Sequence, residues 1–254
     1  DPDIVTFQEA KGQGDITNFL NANPAYEGYR STADGAGNRQ LIMSKFDIAN
    51  ASVREHEFGG VRPLLAATID LPGPNNVEVF TAHWSASQSS DRVLESANSE
   101  QIISNFNQMN PDAFYLYTGD FNVTDSSSLI TDLLVSTVGL NLITPVDPNN
   151  GSSATINADP TKGTYLDRRI DYILPSDALM DFTVEARVLN TWSYTAQTIP
   201  TGLQLTDTIE ASDHLPIFAV FTLPGDFNDD NVWNADDIDL LVLRSTQSSW
   251  KRSG

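Results

Sequence analysis

Five short segments set carboxylates, amides and imidazoles beside apolar runs. They are Gln8-Glu9, His83-Trp84, Asp120 with Asn122, Asp171 after Arg168-Arg169-Ile170, and Ser212-Asp213-His214. Each adjoins a predicted strand, and open α/β sheets collect their ligands at strand ends. Only three histidines occur in the chain, and two of them, His83 and His214, belong to this set. The residue types suit metal-assisted cleavage of a phosphoester. Glu9 and Asp213 offer hard oxygen ligands to Mg²⁺ or Mn²⁺. His214, oriented by a carboxylate such as Asp171, can move a proton at neutral pH. Asp120 can position or deprotonate the attacking water. Asn122 and His83 can donate hydrogen bonds to phosphate oxygens, which gain charge in the transition state. Metal and donors would each lower the barrier by several kcal/mol, on the order of 10²-fold or more apiece.

Plainer roles are open to the same residues. Asp120-Phe121-Asn122 can form a turn, because Asp and Asn bond their own backbone. Asp171 can pair with Arg168 or Arg169, His83 can be a packed core histidine, and Asp213-His214 can be a salt-bridged surface pair. His56, between Glu55 and Glu57, is expected to be solvated and receives no role. Arg39 and Trp192 are candidate substrate contacts, Trp192 on a predicted loop over residues 191–210, just before Asp213.

The tetrapeptide Gly-Asp-Phe-Asn occurs twice, at residues 119–122 and 225–228. The first copy ends an apolar run and delivers Asp120 and Asn122 to a strand end. The second opens a run of oxygen ligands with calcium-loop spacing: Asp226, Asn228, Asp230, Asn234 and Asp237 at loop positions 1, 3, 5, 9 and 12, with the Val232 carbonyl at position 7. Asn231 stands where the loop usually has glycine, tolerable because Asn visits the left-handed region. Ile238, Leu240, Leu241 and Leu243 then suggest a helix; the alternative is an acidic flexible tail.

The elements that must position these groups are short. The pattern predicts strands over residues 4–7, 41–44, 64–70, 77–83, 113–118, 170–174, 182–189 and 217–221, and helices over 15–21, 91–109 and 127–135. Many strands with few helices imply an α/β sandwich with mixed sheets. Residues 145–162 read as a long loop. Leu223-Pro224-Gly225 reads as a boundary between a domain over 1–223 and a segment over 224–254.

The formal charge is −20, and the six acids and three bases of residues 225–254 leave −17 on the rest. Such a field opposes non-specific binding to nucleic acid or anionic membrane, although a local cation can invert it in a cleft. There is no cysteine, which excludes disulfides and thiolate metal sites. No apolar stretch has the length of a membrane span. The chain opens at Asp1-Pro2-Asp3 without a leader, as expected of a mature or truncated product.

The ordered set Ile4-Val5-Thr6-Phe7-Gln8-Glu9, Asn38-Arg39-Gln40-Leu41-Ile42-Met43-Ser44, Phe80-Thr81-Ala82-His83-Trp84, Gly119-Asp120-Phe121-Asn122, Arg169-Ile170-Asp171-Tyr172 and Ser212-Asp213-His214-Leu215-Pro216 resembles the endonuclease/exonuclease/phosphatase superfamily of DNase I-like nucleases, neutral sphingomyelinases and inositol-polyphosphate phosphatases. The resemblance covers about residues 1–223. It implies a four-layered α/β sandwich of two mixed sheets flanked by helices, and Mg²⁺-dependent phosphoester cleavage. By motif, Glu9 is the metal ligand and Asp213 a second acidic one. His83 stabilises the phosphate, Asp120 and Asn122 handle nucleophile and phosphate, and Asp171 pairs with His214. The family starts with a strand bearing an asparagine near the metal, and this chain begins after that point, so that strand is expected to be missing. The C-terminal loop resembles one repeat of a type I dockerin, a secreted bacterial module, which implies Ca²⁺ and, for a complete module, a cohesin partner.

Two expectations follow. One is a monomeric, extracellular, Mg²⁺-dependent phosphodiesterase or nuclease acting on nucleic acid, a lipid headgroup or a small phosphoester. The other is a non-catalytic binding or assembly component with an incomplete catalytic domain. The charge mildly disfavours long polyanions.

Overall fold

Alternating apolar residues fix the centre of the fold. In the computed structural model, which describes residues 2–10, 13–34, 37–49, 52–59, 61–72, 76–137, 139–156 and 168–222, a five-stranded sheet runs in the order β4-β5-β6-β7-β8. Its strands are β4 (Arg54–His56), β5 (Leu64–Ile69), β6 (Val77–His83), β7 (Phe114–Asp120) and β8 (Asp171–Pro175). Pairing is antiparallel except between β6 and β7, which are parallel, so the sheet is mixed.

Side chains leave the two faces of a strand in turn, and each face has its own cluster. Leu64, Ala66, Phe80, Tyr115 and Tyr117 meet Ile103 of helix α2 (Ser89–Met109) and Ile130 and Leu134 of a π-wound segment, Leu129–Thr137. Leu65, Ala67, Val77, Val79 and Leu116 meet Ile42 on the opposite face. Ile42 belongs to β3 (Arg39–Ser44), the centre of a three-stranded antiparallel sheet flanked by β1 (Ile4–Ala10) and β2 (Glu27–Arg30). An antiparallel pair, β9 (Thr183–Val188) and β10 (Ile217–Phe221), extends this layer beside β8. Helix α1 (Gln13–Ala22) covers the outer side, with Phe19 edge-on to Phe7 at 6.2 Å. The result is the expected sandwich of sheets flanked by helices, with one correction: only the five-stranded sheet is mixed, and the described pairings of the second layer are all antiparallel.

Several boundaries shift from the sequence reading. β2 and β4 were not predicted, because Glu27-Gly28-Tyr29-Arg30 and Arg54-Glu55-His56 show no apolar alternation and sit at sheet edges. Helices α3 (Asp177–Met180) and α4 (Asp207–Ala211) are too short to carry a period. Of the predicted loop over 145–162, the described part, 145–156, is less irregular than expected: Val146 bridges Arg187 and Ile156 bridges His214.

The apolar residues of α2 face the core only in its second half. Ile103 is fully buried, with Ile102 and Phe106 against the core, but Val93 and Leu94 are exposed. Glu95, Ser96 and Ser99 take the buried face instead. The Glu95 carboxylate accepts the backbone N–H of Arg62 at 3.0 Å and of Ser85 at 2.7 Å. A buried chain runs from Trp84 Nε1 to the Tyr117 hydroxyl (3.1 Å), on to Ser99 Oγ (2.8 Å) and to the Glu95 carbonyl (2.7 Å). Glu95 and Ser99 can be buried here because they satisfy backbone groups that water cannot reach.

No described helix is long and apolar enough to cross a membrane. The boundary at 224 and the calcium-loop residues Asp226, Asn228, Asp230, Val232, Asn234 and Asp237 lie outside the described residues.

Candidate active site

Sheet register brings three of the predicted residues together. His83, the last residue of β6, is the partner of Asp120, the last of β7. Asp120 is in turn the partner of Asp171, the first residue of β8. Parallel pairing on one side and antiparallel on the other thus set three functional side chains in a row at one edge of the sheet. His214 arrives from the segment before β10 and places Nδ1 at 2.9 and 3.1 Å from the two Asp171 oxygens. The alternative pairing of Asp171 with Arg169 is not used. Arg169 bonds Asp125 and the Ile143 carbonyl and lies over the Tyr172 ring, leaving Asp171 to His214.

The Gly-Asp-Phe-Asn turn is anchored by its phenylalanine. Phe121 is fully buried between Trp84 at 4.4 Å and Tyr172 at 5.5 Å. Such ring pairs contribute about 1 kcal/mol each beyond area burial. Asp120 Oδ1 accepts the Asn122 backbone N–H at 2.9 Å, and Oδ2 accepts Asn122 Nδ2 at 3.0 Å. The same amide also donates to the Trp84 carbonyl at 3.0 Å. Asn122 sits at φ 52°, where Asn is better tolerated than most residues. The predicted turn and the predicted site are therefore the same object, and Asn122 steers the Asp120 carboxylate.

Glu9 reaches the row by a backbone irregularity. The β1–β3 register slips between Phe7 and Ala10, and Glu9 lies at φ 59°. Gln8 donates to Thr81 Oγ1 at 3.0 Å, while Glu9 Oε1 comes within 3.9 Å of His83 Nε2. Thr81 and His83 share one face of β6, so the irregularity turns two consecutive residues to the same side, a use of bulges common beside active sites. A glutamate held in the left-handed region costs about 1–2 kcal/mol. Glu9→Gly should therefore leave stability unchanged or raise it by about 0.5–1 kcal/mol, while metal-dependent turnover falls at least ~10²-fold. Urea unfolding beside a turnover assay checks this, and a loss of stability above about 1 kcal/mol would contradict it.

The two histidines are driven apart. Burial, then the Arg62 charge, pushes His83 down to about 3, so it is neutral at pH 7. The hydrogen bond to Asp171 pushes His214 up to about 9 against the opposing effect of burial, with the charges of Asp171, Asp120 and Asp213 adding. Burial and then the Asp171 charge push Asp120 up to about 7. Opposed displacements within one site separate a neutral imidazole, a cationic imidazole and a carboxylate of high proton affinity. A raised histidine contributes stability that is complete below about pH 6.5 and lost as pH rises through about 9. In metal-free buffer, wild type should lose on the order of 2 kcal/mol across that window, and His214→Gln should lack this slope. Denaturant melts at pH 6 and pH 9.5 measure it; parallel curves for the two proteins would count against the pairing.

The donor set fits a divalent cation. Asp120, Asp171 and His214 offer one atom each within 4.8 Å of one another. Two carboxylates share this space, and burial together with the Asp171 charge raises the proton affinity of Asp120, against the opposing charge of His214. The two carboxylates supply the hard oxygens that divalent cations take, with His214 beside them. The sequence reading assigned Glu9 and Asp213 as ligands. Glu9 lies on the His83 side of this group, whereas Asp213 is exposed and joins it only through its charge.

Arg39 lines a small recess with Asp34, Asn38, Arg62 and His83, beside the site. Trp192 is 49 % exposed in a short turn held by Asn190 and Ser193 to the buried Asp147 carboxylate, and the described interactions do not join it to the cluster. His56 is half-buried in β4 rather than solvated. Arg62 and Glu95 escaped the sequence reading. Arg62 donates to the Trp84 carbonyl at 2.9 Å and pairs with Asp34 at 3.1 Å, which places its charge beside His83. Its one sequence signal was a lone arginine just before a strand.

The profile of the Endonuclease/Exonuclease/phosphatase family matches residues 1–214. A search of curated proteins finds no match. Among solved structures, a truncated TDP2 from Caenorhabditis elegans superposes with a TM-score of 0.64 at 19 % identity, covering 87 % of this chain and 84 % of that one. A mannosyl-6-phosphatase from Bacteroides thetaiotaomicron gives 0.64 at 20 % identity, with 86 % and 85 % covered. TDP2 from D. rerio, complexed with a single-strand DNA product, gives 0.60 at 15 % identity, with 86 % and 85 % covered. At such identities the likeness is one of fold.

Proposed function

Because the chain belongs to the endonuclease/exonuclease/phosphatase family of phosphoester hydrolases, we propose that it is a secreted, Mg²⁺-dependent phosphodiesterase of the nuclease type. The observation that carries this reading is the row His83, Asp120, Asp171 with His214 locked to Asp171. Asp120 and Asp171, with Glu9 close by, would hold the cation, which supplies charge neutralisation to the phosphate. Asp120, steered by Asn122, orients the attacking water and takes its proton. Neutral His83 donates a hydrogen bond to a phosphate oxygen without adding a second buried cation. His214, oriented by Asp171, carries a proton to or from the oxygens of the reacting phosphate. Arg62 adds a positive charge at the rim of an otherwise acidic domain, which lets an anion approach. Residues 224–254 are read as an accessory Ca²⁺-binding segment on the dockerin resemblance, and secretion rests on the same resemblance.

A second reading, a phosphatase acting on a small or sugar phosphoester, draws support from the −17 charge of the large domain and from the mannosyl-6-phosphatase neighbour. A panel of bis-p-nitrophenyl phosphate, p-nitrophenyl phosphate, DNA, RNA, sphingomyelin and sugar phosphates separates the two. The diesterase reading expects diesters to be cleaved at least ~10-fold faster than monoesters, a difference of about 1.4 kcal/mol in barrier. A monoester preference would replace it with the phosphatase reading.

A further inference from the structure

Asp171 and His214 come from elements that do not pair. β8 bonds to β7, and the backbone of the segment carrying His214 is tied to a third stretch of chain, at Thr155 and Ile156, which in turn bonds the start of β8. Thr155 is fully buried. Its hydroxyl accepts the backbone N–H of Ile170 at 3.1 Å and of Asp171 at 3.3 Å. Its carbonyl accepts the N–H of Leu215, next to His214, at 2.7 Å, and its own N–H donates to the Arg168 carbonyl at 2.8 Å. One residue thus grips the chain on both sides of the Asp171–His214 contact.

We infer that Thr155 is a positioning residue, which sets Asp171 and His214 against each other by holding the backbone beneath both. The hydroxyl has the lone pairs to take two N–H groups, that of Ile170 buried and that of Asp171 partly so, and neither has another described acceptor. A valine keeps the shape and removes both acceptors, so Ile170 and Asp171 must move to find partners. A shift of about 1 Å at Asp171 breaks a 2.9 Å contact to Nδ1 and can cost ~10²-fold in rate. Serine retains the acceptor without the methyl, and cysteine offers only a weak acceptor.

The kinetic arm rests on the hydrolase reading; the spectroscopic arm does not. Protein labelled with ¹⁵N-histidine should show a downfield Nδ1–H proton from His214, lost in a His214→Gln control. The signal and kcat should follow the order Thr ≈ Ser > Cys > Val at position 155. Thr155→Val should lose the signal and about 10–100-fold in kcat, with KM within about threefold of wild type and a native circular-dichroism spectrum. If Thr155→Val does not fold, the Ser and Cys variants decide. Equal signals in those two, a signal retained in Val, or a loss in Ser as large as in Val would each overturn the inference. Absence of turnover in wild type with the signal order intact would sink the hydrolase reading and leave the positioning role standing.

Discussion

Asp120→Asn is expected to lower kcat/KM by about 10³-fold while the protein stays folded. Asp120 is the middle of the row. It is buried, flanked in register by His83 and Asp171, and its Oδ2 lies 3.4 Å from His83 Nε2 and 4.0 Å from His214 Nε2. Amide for carboxylate keeps the Oδ1 acceptor for the Asn122 backbone but removes the charge that orients water and cation. The change also has a signature without substrate. An acid whose folded pKa is raised, here to about 7, contributes stability that is complete below its unfolded value and falls as pH rises through about 7. Asn does not titrate, so the variant should lack the loss of stability that metal-free wild type shows between about pH 4 and 7. A rise in melting temperature on adding Mg²⁺ should shrink as well, because the variant binds the cation less tightly. Wild-type turnover in Asp120→Asn would remove Asp120 from the chemistry.

Gly119→Ala should cost the fold itself, with a fall in melting temperature of about 10 °C or more. Gly119 sits at φ 147°, outside the range that other residues enter readily. A methyl group there would stand 1.9 Å from the Ala82 carbonyl oxygen, its partner residue on β6. That atom is backbone in the centre of the sheet, so neither strand can give without breaking the β6–β7 ladder. The same ladder sets Asp120 beside His83, and activity should fall further than the folded fraction does. Calorimetry and turnover on one preparation test both halves; a melting temperature within about 2 °C of wild type would show that the strands can part cheaply.

Both residues belong to a motif that the sequence displays openly, and what was legible follows a physical pattern. Strand ends could be read because Val77–His83 and Phe114–Asp120 are long apolar runs, and their polar successors stand out. The pairing of Asp171 with His214 followed from the family resemblance rather than from spacing, since Arg169 next door was an equal candidate until its guanidinium was seen on Asp125. The φ of Glu9 is invisible in a sequence, because a register slip is a property of two strands together. Glu95 and Thr155 were missed for a shared reason. Each is a polar residue whose partners are backbone N–H groups 10 to 33 positions away in the case of Glu95 and 15 to 16 in the case of Thr155. Glu95 lies in a helix predicted from apolar spacing and Thr155 in a predicted loop, and neither kind of signal registers an orphan donor elsewhere in the chain.

The central claim is that His83, Asp120, Asp171 and His214, with Glu9, form a cation-dependent phosphoester-cleaving centre. Hydrolysis of bis-p-nitrophenyl phosphate tests it most directly, measured in EDTA, after Mg²⁺ is restored, and in the His214→Ala variant. The account predicts no turnover in EDTA, recovery with Mg²⁺, and a loss of at least ~10²-fold on substitution. Turnover that ignores the metal, or that survives the loss of His214, would contradict it, and a wild-type protein inert in every condition would leave the chain a non-catalytic member of its family.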